Sequence, residues 1–123
     1  MKLRVTVAVL LLAAAVVCAC SSYVYLNKES RRLIAGIEEA LRTDGDAMKQ
    51  KALNVCGLWE RSEPLFCVLI HHDDADALSR SFYLLRRQAL EGNAGEVAEA
   101  LSDCLADLNV LLDGEELKFT NFL

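Results

Sequence analysis

The chain has 123 residues, 54% of them hydrophobic, with 13 Lys and Arg against 18 Asp and Glu and a formal net charge of −5. An acidic balance of this kind argues against nucleic acid as a partner, because phosphates demand clustered Lys and Arg, and against adhesion to anionic lipid by charge. The length allows one small core beyond the N-terminal segment, not two.

Residues 1–26 form the first unit, a membrane anchor or signal segment. Lys2 and Arg4 precede a run from Val5 to Leu26 that contains no charged side chain. As a helix the run is about 33 Å long, enough to cross a hydrocarbon core of about 30 Å. Two uses of this segment stay open. As an uncleaved signal anchor, Lys2 and Arg4 remain cytoplasmic and the rest is exported, although Lys28, Arg31 and Arg32 just past the apolar run compete under the positive-inside rule. As a lipoprotein signal, Val17-Cys18-Ala19-Cys20 resembles a lipobox, and Cys20 becomes the lipidated mature N-terminus. Tyr23, Val24, Tyr25 and Leu26 continue the apolar character beyond that point, with tyrosines where an aromatic belt sits, which favours the intact helix. Either use places residues 27–123 at a cell membrane, outside the cytoplasm.

That second unit, the helical extracytoplasmic domain, reads as helices throughout. Leu33, Ile34, Ile37 and Leu41 recur at helical spacing, and no breaker separates them from the anchor, so one helix is predicted to leave the membrane and enter the domain. Thr43-Asp44-Gly45-Asp46 ends it. A second helix runs from about Asp46 to Ile70 through Met48, Ala52, Val55, Trp59 and Phe66, with a kink or brief break expected near Ser62–Glu63 because Pro64 removes a donor and crowds the preceding turn.

Two further helices carry the clearest periodicity. Ala75, Leu78, Phe82, Leu85 and Ala89 alternate in steps of three and four, as do Val97, Leu101, Cys104, Leu108 and Leu111. Gly92 closes the first of these, and Asn93 with Glu96 supplies a capping pattern for the second. Asp73 or Asp74 is expected to cap the third helix. The predicted fold is therefore all-α, an N-terminal transmembrane helix continuing into a small up-and-down helical bundle. Trp59, Phe82, Leu85, Leu101 and Leu108 are its candidate core or interface residues.

Chemistry is thinly represented. His71, His72, Asp73, Asp74 and Asp76 form the one local cluster of metal-capable groups, and a metal-binding domain built on it is the alternative function class. Adjacent histidines point about 100° apart on a helix, so the spacing suits a helix–loop–helix junction better, with His and Asp complementing the helix dipoles. Cys56, Cys67 and Cys104 are read as reduced packing residues. The first two stand about 16 Å apart on a continuous helix, beyond the reach of a disulfide. No motif presents a nucleophile, so no enzymatic activity and no cofactor are predicted.

The layout as a whole resembles a known family. An N-terminal membrane segment, Trp59-Glu60, Leu69-Ile70-His71-His72, two short helices and the terminal Thr120-Asn121-Phe122-Leu123 are similar to the bacterial family called domain of unknown function 4363. The resemblance implies a small membrane-attached helical protein of the kind found in spore-forming Gram-positive bacteria, and no established activity. The expected function is a membrane-attached module for protein–protein interaction or assembly, with the membrane itself and an unidentified protein as its partners.

Overall fold

The computed structural model of the chain describes residues 2–122, with side chains described as far as Gly114. Four α-helices follow one another: α1, Lys2–Leu41; α2, Gly45–Leu69; α3, His72–Glu91; and α4, Ala94–Phe122. There is no strand among the described residues. The tail motif Thr120–Leu123 lies outside the described side chains.

α1 changes character along its 40 residues. Every side chain from Lys2 to Ala19 is exposed, a stretch of about 27 Å. From Leu26 onward the helix turns one face inward, burying Leu26, Glu29, Ser30, Leu33, Ile37 and Ala40. These positions recur every three or four residues, as an amphipathic helix requires. The apolar stretch and the first bundle helix are thus one continuous element, and Leu26 belongs both to the uncharged run and to the core.

The turn after α1 is closed locally. The Thr43 hydroxyl and its own N–H both donate to the Ala40 carbonyl, at 2.8 and 3.1 Å. Gly45 then takes φ +62°, a left-handed conformation that a Cβ would strain.

α2 runs unbroken through Pro64, which corrects the expected break near Ser62–Glu63. The proline leaves the Glu60 carbonyl without its helical partner, but Glu60 and Pro64 both face outward, where water satisfies the orphaned acceptor. On the opposite side Ser62 and Phe66 are buried on either side of it, and their packing holds the two segments in line.

The helices pack around a square in the order α1, α2, α3, α4, with α2 and α4 also touching across the short diagonal. Polar contacts record the antiparallel register. Lys51 pairs with Glu39 at 3.0 Å and Ser62 with Glu29 at 3.2 Å, so α2 returns along α1. Ser81 on α3 donates to Asp107 on α4. The α1–α2 and α3–α4 turns therefore share one end of the bundle. The α2–α3 turn lies at the other end, the one from which the exposed half of α1 projects.

The core is contiguous and apolar. Leu33, Ile37, Phe66, Leu78, Phe82, Leu85, Leu101 and Leu108 are fully buried. Trp59 lies flat on Phe82, ring centres 4.7 Å apart, and meets Phe66 edge-on at 5.1 Å. This aromatic trio joins the two sides of Pro64 to α3. Phe82→Ala is expected to destabilise the bundle by about 3–5 kcal/mol, read as a large fall in the circular-dichroism melting temperature; an unchanged melt would contradict this packing.

Candidate functional site

The His–Asp cluster sits at the α2–α3 turn, the end of the bundle nearest the apolar helix. Its local chemistry is that of a cap. The Asp73 backbone N–H donates to His71 Nδ1 at 3.2 Å, so His71, with extended-side backbone geometry, is the N-cap of α3. This corrects the expectation that Asp73 or Asp74 fills that position. Both aspartates instead occupy the first turn, where their charge favours the positive end of the helix dipole.

His72 and Asp76 stand one turn apart, and His72 Nε2 lies 3.3 Å from Asp76 Oδ2. The cluster thus contains one i, i+4 pair. His71 faces Asp73 instead, at 3.8 Å. No group of three or more His, Cys, Asp or Glu side chains positioned to hold a metal ion occurs among the described residues. Two exposed donors make an ion pair, and a zinc site needs three or four.

The cysteines divide by environment. Cys56 and Cys104 are buried, whereas Cys67 is exposed, so Cys67 is not the packing residue it was expected to be. Desolvation pushes the Cys56 thiol up to about 11 and raises Cys104 further, with Cys56 itself adding to the shift on Cys104. Both thiols are therefore kept neutral, and the Cys56 thiol donates to the Phe82 carbonyl at 3.7 Å. Neutral, enclosed thiols are poor nucleophiles. In the apolar helix Cys18 is exposed and Cys20 is partly covered.

One polar arrangement escaped the sequence reading. At the end from which the apolar helix projects, Glu29 and Ser30 of α1 and Ser62 of α2 are buried inside the bundle. Ser62 Oγ donates to Glu29 Oε2, and Arg32 reaches Glu29 from solvent at 3.5 Å. Ser30 Oγ is buried with no hydrogen-bond partner. The spacing contained the signal: Ser62 falls between Trp59 and Phe66 on the apolar stripe of α2, and Ser30 between Leu26 and Leu33 on that of α1.

A recess of about 780 Å³ runs along the outside of α2 and α3 over Trp59 and Phe82. Exposed Tyr83 and the Arg86–Glu60 pair border it. Its lining combines charged and aromatic groups with Ser79 and the neutral Cys56 thiol. Comparison with known protein families, with curated proteins and with solved structures finds no match for the chain.

Ser62→Ala deprives the buried Glu29 carboxylate of its donor and is expected to cost about 1–3 kcal/mol, while Ser30→Ala removes an unpaired hydroxyl and is expected to be neutral or stabilising; chemical denaturation of both variants checks the contrast. His71→Ala should cost about 0.5–2 kcal/mol through the lost cap. Millimolar zinc should leave the wild-type melting temperature unchanged. A zinc-dependent rise that disappears in a His71→Gln, His72→Gln variant would establish the cluster as a metal site instead.

Proposed function

We propose that the protein is a single-pass membrane protein whose helical domain lies outside the cytoplasm and acts by binding another protein or as part of an assembly, without enzymatic activity. The observation that carries this reading is the fully exposed, uncharged stretch of α1 ahead of a closed bundle. Its hydropathy and length meet the requirement for a span, with none of that window buried. In water such a surface would be an aggregation liability; in a bilayer it is solvated. Outside it, the helices offer faces rather than an enclosed reaction site, and such faces suit recognition by another helix or loop. Membership of the domain of unknown function 4363 family is part of the same proposal, supported by the layout of the apolar segment, Trp59 and His71-His72.

A lipoprotein is the second reading, and one observation favours it. Cys20 is the first residue of α1 to be partly covered, so cleavage ahead of it would remove only exposed residues and leave every core position in place. Intact-mass spectrometry of protein extracted from membranes separates the two. The anchor predicts that the Met1–Arg4 end is retained and that protease added to intact cells degrades residues 27–123. Chains beginning at a diacylated Cys20 would overturn the anchor, and recovery in the soluble fraction would overturn membrane attachment altogether.

A further inference from the structure

Charge is distributed unevenly over the face formed by α3 and α4. From Ala94 to Gly114, α4 carries Glu96, Glu99, Asp103, Asp107 and Asp113 without a single lysine or arginine. α3, past its acidic first turn, carries Arg80, Arg86 and Arg87 along with Asp76 and Glu91. Arg86 is taken by Glu60 of α2. Arg87 reaches only Glu91 of its own helix, at 3.6 Å between exposed groups, a pairing worth little in water. Arg80 has no ion-pair partner among the described residues. The same face exposes apolar side chains, Leu84 at 42% and Val110 at 72% exposure, and Ala77 and Val110 line one recess between the two helices.

We propose that this face binds a second copy of the same chain in a two-fold dimer, α3 of each copy packing against α4 of the other. The inference rests on the anchored-module reading, which supplies the geometry. Two copies rooted in one membrane, with their bundles on the same side, are related by an axis along the membrane normal. Because α1 passes without interruption from its exposed half into the bundle, that axis runs along the helices. Rotation about it sets α3 antiparallel to the partner's α4 at the height already recorded by the Ser81–Asp107 contact.

At that height Arg80 comes level with the acidic side chain of position 107 in the other copy, and Arg87 falls between positions 99 and 103. Each basic row meets an acidic row, and does so twice. The exposed apolar side chains of the face are covered at the same time. Surface complementarity of this kind selects the partner and its orientation. Confinement to a membrane raises the effective concentration, so a modest contact area suffices.

The test uses the full chain in detergent micelles, with sedimentation equilibrium as the readout of mass. Wild type should be a dimer. Two reversed chains, one carrying Arg80→Glu with Arg87→Glu and the other Glu99→Arg with Asp103→Arg, should each dimerise at least about tenfold more weakly, since like charges now face one another. Mixed in equal amounts they should recover a dimer, because each reversed row then meets its opposite. A circular-dichroism melt confirms that the exposed substitutions leave the fold intact. Membrane-bound wild-type monomers would overturn the dimer alone, and so would a dimer indifferent to both reversals. A chain recovered as soluble protein would overturn the anchored-module reading and the dimer with it.

Discussion

The structure depends on one constraint: a single helix, α1, is exposed on every side over its first half and packed on one side over its second. Over Lys2–Ala19 all of its side chains point outward, and apart from Lys2 and Arg4 none is charged. From Leu26 to Ala40 only one face is apolar, because only one face meets α2 and α4. The change of pattern takes less than two turns. No loop separates the two regimes, so the direction of the apolar helix and the orientation of the bundle are set together.

Polar groups at the end from which the apolar helix projects belong to this junction. Ser62 and Glu29 tie α2 to α1 just where the exposed part of α1 begins, on the side where Pro64 has weakened the backbone of α2. The aromatic trio Trp59, Phe66 and Phe82 secures the same region from within the core. Buried polar pairs add little net stability compared with apolar packing, but a misplaced partner leaves a desolvated carboxylate, and that cost penalises alternative registers. Lys51–Glu39, at the far end of the same helix pair, is exposed and contributes correspondingly less.

Much of this fold is legible in the sequence, for physical reasons that differ between elements. The stripes of α3 and α4 are almost free of polar interruption, and all ten positions from Ala75 to Ala89 and from Val97 to Leu111 named by their spacing are buried. α2 was harder, because proline was weighed as a local breaker while tertiary packing on both sides of it decides the outcome. The cap at the His–Asp turn differs from the expected one. Histidine is an uncommon N-cap, so the preference for aspartate points two or three residues too far along. Ser30, Ser62 and Glu29 were missed because an amphipathic reading counts apolar positions and passes over the polar residues that share their face. Cys67 was misassigned for the related reason that cysteine is usually buried, whereas the angular position of residue 67 turns it outward beside Val68.

The central claim is that α1 is one helix surrounded by lipid over its first half and one-sided over its second. A nitroxide scan of the full chain in lipid bilayers, one label per position from Val5 to Ala40, tests it through accessibility to oxygen and to a water-soluble paramagnet. The expected result is access to oxygen without helical periodicity, and protection from the aqueous reagent, as far as Ala19. Beyond Cys20 an oscillation with a period of about 3.6 residues is expected, with minima at Leu26, Ser30, Leu33 and Ile37. Aqueous accessibility throughout the first half, or an oscillation that begins at Val5, would contradict it.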